Sequence, residues 1–439
     1  MAWDFETDPE YQELLDWTHV FVREECEPLD LVLTHSHDMA NPLRNALVKP
    51  RQAIVRDKGL WATHLGPELG GPGYGQVKLA LLNEIVGRSF VAPTVFGSQA
   101  PDSGNSEILA HYGSPELKER YLAPLLRNDI VSCFSMTEPQ GGADPKVFTT
   151  RAVADGDDWI INGEKWYSSH AKFASFFIVM AVTDPEAAPH RRFSMFVVPA
   201  GTPGIEIIRN VGMGYDPLGT DGVEGYVRYN DVRVPNDHML GERGDAFAVA
   251  QTRLGGGRIH HAMRTVGLVR KLFDLMCERA VSRFTQGTVL SSKQMVQQQI
   301  ADSWIEIESF RLLTLQTAWK IDKYGDYNRV RGDISAVKAA MQRVLHDVSA
   351  RALQIHGSLG TSNEMPFVRC LIESFVLGLA DGPTEVHKVT LAKQVLRDVQ
   401  PAPGLFPTGH LLALREEAER KFAAEIEQHG GLHPAGTNH

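Results

Sequence analysis

Apolar positions change their period twice along the chain. Up to about residue 130 they recur at helical spacing, broken by the loop "GPELGGPGYG" (66–75) and resumed at "SPELKERYLAPLL", where Ser114 is placed to cap a helix that Pro115 opens. This predicts an α unit. From about 131 to 243, short β-branched or aromatic runs ("DWIING", "FFIVMAV", "FSMFVVP", "GYVRYNDVRVP") are separated by the turn signals "ADGDD", "NGEK" and "TPG". They predict a central β domain, a compact barrel or sandwich. After Gly244 the spacing of three and four returns. Val296, Ile300, Trp304, Ile307, Phe310 and Leu313 mark one face; Ala336, Ala340, Val344, Val348 and Ala352 mark another. Two long helices with buried faces are therefore expected inside a helical bundle. Beyond "PAPG" at 401, one Glu/Arg/Ala-rich helix precedes "GGLHPAGTNH", which reads as a frayed end.

The expected fold is thus mainly α with a central β domain. It divides into an N-terminal helical domain (1–130), the β domain (131–243), a C-terminal helical bundle (244–400) and a helical tail (401–439). A length of 439 residues suits three units of roughly 150 residues each.

Composition narrows the function classes. A formal net charge of -10 removes the global positive field that holds proteins on nucleic acid or anionic lipid. Cys26, Cys133, Cys277 and Cys370 lie far apart and form no CxxC pair, so neither a zinc site nor a disulfide framework is indicated. The opening "MAWDFETDPEYQELLDW" is acidic and reads as neither signal nor transit peptide, and the apolar run "FASFFIVMAV" (173–182) is well short of the ~20 residues a spanning helix needs. A cytoplasmic or matrix-like location without a membrane span is expected.

Among motifs, "LGGGR" (254–258) and "PQGGAD" (139–144) fail the GxGxxG pattern, and no HExxH or GxSxG occurs. The pair His260 and His261 sends adjacent side chains to different faces of a helix, so no metal site is predicted; His356 and His387 read as structural or pocket-lining. More informative is "CFSMTEPQGGAD" (133–144), an apolar strand breaking into Thr-Glu-Pro and paired glycines. Its backbone N–H groups and the Thr137 hydroxyl could face a planar ligand. "INGEKWYSSH" (161–170) adds an Asn-Gly hairpin turn, an indole and two hydroxyls. Near the end of the helical half, "ADGPTEVH" places Asp381 before Gly-Pro, after the apolar "VLGLA", where it is either a turn residue or a reactive acid.

Taken in order, "MTEPQGGAD", "INGEKWYSS", "QIHGSLG" and "ADGPTEVH" resemble the acyl-CoA dehydrogenase family over residues 10 to 398. "IADSWIEIESFRLLTL" with "ADGPTEVH" is most similar to a subgroup with aspartate in place of the usual glutamate base. The resemblance implies an N-terminal helical domain, a central β domain and a C-terminal four-helix bundle. It also implies FAD-dependent α,β-dehydrogenation of an acyl-CoA thioester, with electron-transfer flavoprotein as acceptor and a homodimer or homotetramer.

Carried over by matching position, the resemblance makes Phe134, Met136 and Thr137 the lining of the flavin ring. Trp166 would pack against the ring and Ser168 would approach N5. Arg283 and the stretch Gln354 to Ser358, including Gly357, would reach the pyrophosphate and adenosine of a neighbouring subunit's FAD. Thr384 and Glu385 follow in the cofactor set. Arg258 would line the substrate cavity, Gly382 would offer its backbone N–H to the thioester oxygen, and Asp381 would be the base. At several positions the chain departs from the family. Gln286 replaces an aromatic near the cofactor, Ala143 replaces a serine available to CoA, and Glu385 stands where a glutamine contacts FAD. Gly255, Gly256 and Gly257 carry no carboxylate on the helix that holds the base in other members, so no competing acid is expected. A shorter base suggests a bulky, branched or hydroxylated acyl chain. A flavin oxidase of the same fold, of the nitroalkane or acyl-CoA oxidase type, and a non-catalytic acyl-CoA-binding relative are the alternatives.

Overall fold

The computed structural model describes residues 6–430, in two compact units that meet between Leu391 and Ala392. The first unit opens with helices α1 (Pro9–Phe21), α2 (Pro42–Asp57), α3 (Gly75–Val86), the single turn α4 (Ala92–Val95) and α5 (Asp102–Tyr112). Two more short helices follow, α6 (Pro115–Leu117) and α7 (Ala123–Leu126). Their starts are chemically marked. Asp8 accepts from the Tyr11 N–H at 3.0 Å, and Ser114 accepts from the Leu117 N–H at 3.2 Å with Pro115 in the first turn, as the sequence predicts.

Seven strands then form one mixed sheet: β1 (Ser132–Ser135), β2 (Arg151–Asp155), β3 (Asp158–Ser169), β4 (Phe176–Val182), β5 (Phe193–Pro199), β6 (Ile205–Val211) and β7 (Glu224–Pro235). The spatial order is β1-β4-β2-β3-β7-β6, with β5 antiparallel to β4 and β1 parallel to it. The run expected to be the most apolar is β4, every residue of which is buried. Alternation splits its two faces. Phe176, Ile178 and Met180 pack with α5, with Leu117 to Leu125, and with the start of the next long helix; Phe177, Val179 and Ala181 pack with Trp159, Val227 and Tyr229 of the same sheet. One face thus docks helices while the sheet covers the other face itself.

The Asn-Gly pair of "INGEK" is not a hairpin turn. Asn162 and Gly163 lie inside β3 at a register shift against β7, and the turn falls earlier, at Gly156 with φ +64°. Gly163 is needed there: its φ is +146°, and a Cβ would come within 2.5 Å of Thr150 Oγ1. Local turn propensity lost to the ladder that β3 makes with both β2 and β7.

The C-terminal helices are α8 (Ala246–Ser282), α9 (Gln294–Tyr324), α10 (Arg331–His356), α11 (Phe367–Leu379) and α12 (Thr384–Leu396), with a two-stranded hairpin, β8 (Phe284–Thr285) and β9 (Thr288–Val289), after α8. Met263, Val266, Val269, Phe310, Val337, Met341, Val344 and Val348 share one core. Trp304, expected on the buried face of α9, is 53% exposed, as is its neighbour Ile305 at 57%. The second unit holds the end of α12, α13 (Leu411–Lys421) and α14 (Ala423–Gln428). The frayed end expected for "GGLHPAGTNH" lies, from residue 431 onward, outside the described residues.

The loop after β1 is pinned by a buried ion pair. Lys165 Nζ, fully buried, donates to Glu138 Oε1 at 2.9 Å and to Met136 O at 2.7 Å. Glu138 also accepts from the backbone N–H groups of Thr149 and Thr150 at 2.7 and 3.0 Å. Burial opposes the Glu138 charge, but Lys165 and these donors hold its carboxyl below the usual range. Removing one partner strands the other. Lys165→Met is expected to destabilise the protein by about 3–5 kcal/mol in denaturant unfolding, and Lys165→Met with Glu138→Leu by less, because the second change removes the orphaned charge.

Candidate active site

Asp381 is held by its backbone and aimed by it. It adopts φ +54°, a left-handed conformation that aspartate tolerates better than most residues. Three side chains from three helices bind the carbonyls around it. Arg258 Nε (α8) donates to Asp381 O at 2.9 Å, and His387 Nε2 (α12) lies 3.3 Å from the same oxygen. Lys338 Nζ (α10) donates to Leu377 O and, at 3.4 Å, to Gly382 O. Burial drives Lys338 down to about 8 and His387 down to about 4, so the imidazole is neutral near pH 7. Arg258 and Gly382, both expected at the substrate, are thus part of the clamp on the Asp381 turn. The Gly382 N–H has no partner among the described residues.

The carboxylate itself, 15% exposed, points at α8. A Cβ on Gly257 would stand 3.1 Å from Asp381 Oδ2, so the glycine leaves the notch into which the acid fits. One turn before it, Arg253 Nη1 is 3.9 Å from Oδ1; one turn after it, His261 Nε2 is 3.9 Å from Oδ2. Both distances are long for ion pairs, which leaves the oxygens accessible to another group. Burial pushes His261 down to about 4, so it contributes a neutral ring. His260 turns to the opposite side, toward Gln76 Oε1 at 3.3 Å, as its place beside His261 on a helix predicts.

A second acid meets the glycines on the side that His260 faces. Glu107, on α5, places Oε2 2.9 Å from where a Gly256 Cβ would be, one residue from the Asp381 notch. It has no hydrogen bond or ion pair among the described residues, and burial pushes its carboxyl up to about 8 against the pull of Arg253. No local sequence signal marks it. It sits in "GNSEILAHY", mid-helix in α5, and only the packing of α5 on α8 brings it to the glycines. Arg253 was missed for the same reason. Its guanidinium stacks 3.9 Å over the Phe134 ring and donates to Asn105 Oδ1 at 2.9 Å.

The end of β1 offers a wall for a planar aromatic ligand. Phe134, Met136 and Thr137 are partly exposed, and the Thr137 hydroxyl has no partner among the described residues. Thr137 O accepts from the Trp166 N–H at 2.8 Å, which joins the two motifs. The chemistry fits an isoalloxazine ring, with one correction. Ser168 is fully buried, its Oγ bonded to Ser135 Oγ at 2.9 Å, whereas Trp166 lies on the other face of β3 against Tyr226 and Arg209. Ser168 therefore cannot reach a ligand that Trp166 touches. The exposed aromatic at the bulge is Tyr167, in a left-handed conformation at φ +54°. Thr384 is likewise committed. It is buried, and its hydroxyl donates to Gln342 Oε1 at 2.7 Å.

The remaining expected cofactor residues lie elsewhere. Arg283 and Gln286 are exposed at the hairpin after α8, where Gln286-Gly287 forms the tight turn with φ +49° and +81°. Gln354, Gly357 and Ser358 are exposed at the end of α10, on the side where Arg279 of α8 acts on His356. Counted along α8, Arg283 stands about 39 Å from Gly257. Glu385 and Ala143 are exposed on the surface.

Comparison with known proteins agrees with this architecture. The family descriptions "Acyl-CoA dehydrogenase, N-terminal domain", "middle domain" and "C-terminal domain" match residues 8–129, 133–231 and 244–396. The chain belongs to the acyl-CoA dehydrogenase family. It is 40% identical over 360 residues to acyl-CoA dehydrogenase family member 11 of Mus musculus, a match that covers 80% of this chain and 45% of that protein. The chain thus spans less than half the length of that relative. It is 34% identical over 403 residues to (R)-benzylsuccinyl-CoA dehydrogenase of Thauera aromatica, covering 90% of this chain and 97% of that one. A solved Mycobacterium abscessus homologue of the same family superposes with a TM-score of 0.82 at 37% identity, covering 90% of this chain and 99% of its own.

Glu107 gives the stability of the fold a pH signature. Its ordinary value is 4.5 and the folded value about 8, so between these the folded chain retains a proton that the unfolded chain has lost. This contribution weakens the fold as pH rises across that window. Glu107→Gln is expected to raise the melting temperature by a few degrees at pH 8.5 and by much less at pH 5. Equal shifts at both values would show that Glu107 ionises normally.

Proposed function

We propose that the chain is an FAD-dependent acyl-CoA dehydrogenase in which Asp381 removes the α-proton of an acyl-CoA thioester. The observation that carries this reading is the clamped left-handed turn that aims the Asp381 carboxylate into the Gly257 notch beside Arg253 and Phe134. A turn residue would not need three helix-borne donors on its carbonyls. FAD, when bound, supplies the acceptor for the electron pair that leaves with the β-hydrogen.

The chain's own residues carry the rest. Phe134, Met136, Thr137, Trp166 and Tyr167 would hold the flavin ring. The free Gly382 N–H would donate to the thioester oxygen, where charge develops as the α-proton leaves. Asp381 Oδ2, over Gly257, would receive that proton. The product is the trans-2-enoyl thioester, and electron-transfer flavoprotein is the proposed acceptor of the electrons.

The distance between Asp381 and the exposed Arg283, Gln286, Gln354, Gly357 and Ser358 supports a role for that second group in a neighbouring copy's FAD. The exposed apolar Trp304 and Ile305 on α9 support a homodimer or homotetramer. Among the described residues, no helix is long and apolar enough to cross a membrane. The glycine-lined notch supports a substituted rather than a plain straight acyl chain, in keeping with a relative named for benzylsuccinyl-CoA.

Asp381→Asn is expected to purify yellow with FAD yet lose at least about 10²-fold in the rate of flavin bleaching by acyl-CoA. Normal bleaching by that variant would remove Asp381 from the reaction. Gly257→Ala separates fit from folding. Alanine favours a helix interior by about 1 kcal/mol over glycine. The melting temperature should therefore hold or rise while turnover falls about ten-fold, because the new Cβ displaces the carboxylate.

A further inference from the structure

A cavity of about 180 Å³ lies between the N-terminal helices, α8 and α11, lined by Phe90, Gln99, His261, Arg264, Glu373 and Leu377 among others. It adjoins the base, because His261 forms part of its wall and also stands 3.9 Å from Asp381 Oδ2. Cavities of about 150 Å³ hold a benzene ring, so this one accommodates a short chain or ring continuing from a thioester at Asp381.

Its walls are wrong for a purely aliphatic tail. Arg264 lies one turn beyond His261 on α8 and has no ion pair among the described residues. Its one hydrogen bond, to Ser98 O, is 3.5 Å long. Burial lowers the guanidinium only to about 10, against the pull of Asp381, so it stays charged at neutral pH. The other titratable groups on the walls do not balance it. His37 and His261 are held down to about 4 and are neutral, and burial pushes the Glu373 carboxyl up, away from its charged form, against Arg369. One long bond to a carbonyl leaves most of the guanidinium's N–H groups free for a ligand, and a carboxylate can satisfy two of them at once.

We propose that this cavity takes an acyl-CoA whose acyl chain carries a second carboxylate, bound by Arg264. The inference rests on the proposed acyl-CoA reading and adds the substrate class. Glu373, whose charged form burial disfavours, lines the same cavity, and His261 separates the bound carboxylate from Asp381.

The test uses the wild-type holoprotein and two unreactive thioethers of equal length, S-hexyl-CoA and S-(ω-carboxypentyl)-CoA, with dissociation constants measured by calorimetry. Adipyl-CoA and hexanoyl-CoA then serve as matched substrates for flavin bleaching. The carboxylate-bearing thioether is expected to bind at least about ten-fold more tightly, Arg264→Gln to bring the ratio near one, and Arg264→Lys to retain part of it. Equal or tighter binding of S-hexyl-CoA to the wild type overturns the proposal, as does an unchanged ratio in Arg264→Gln. Should Arg264→Gln fail to fold, the wild-type ratio and Arg264→Lys decide. Preferential binding without bleaching by either thioester would sink the dehydrogenase reading and leave the anion subsite standing. Equal binding with bleaching by both would do the reverse.

Discussion

Asp381 can stand where it does only because α8 has no side chain opposite it. The carboxylate occupies the space of the Gly257 Cβ, and the helix backbone forms the floor of the notch. Everything nearby keeps that approach in register. Arg258 ties the turn to α8, Lys338 ties it to α10, and His387 ties it to α12. The acid is therefore positioned by the packing of three helices rather than by its own loop. Its left-handed backbone is the strained element that this packing supports.

The cost of three consecutive glycines within a long helix is about 1 kcal/mol each relative to alanine. Such a stretch persists where close approach is worth more than helix propensity. Gly256 and Gly257 admit one acid each, from opposite ends of the N-terminal to C-terminal sequence order. The two acids differ sharply in surroundings: Asp381 sits among cations, while Glu107 has only Arg253 to oppose its burial. Adjacent positions of one helix thus each face an acid, on different sides of α8.

Much of the molecule is legible in the sequence because period and composition act locally. The helical, β and helical texture, the Ser114 cap and the all-apolar β4 follow from spacing alone, and the motif order carries the family. What fails to show is set by register or by contacts far apart in sequence. Asn162-Gly163 has the composition of a hairpin turn, but β3 is held straight on both sides and uses the glycine as a bulge. That bulge also decides which of Trp166 and Ser168 faces outward, a one-residue matter that motif matching cannot resolve. Arg253, Arg264 and Glu107 look like ordinary helix residues until α5 and α11 close over α8. Trp304 fits a buried period, yet one chain alone leaves it at the surface.

The same long helix that floors the notch ends at the exposed hairpin of Arg283 and Gln286. An unbroken α8 makes these two ends a single rigid lever. Inserting one residue anywhere between them would turn the far end by about 100° and advance it by about 1.5 Å. The count of residues from Gly257 to Arg283 therefore fixes both the distance and the angle between the notch and the hairpin.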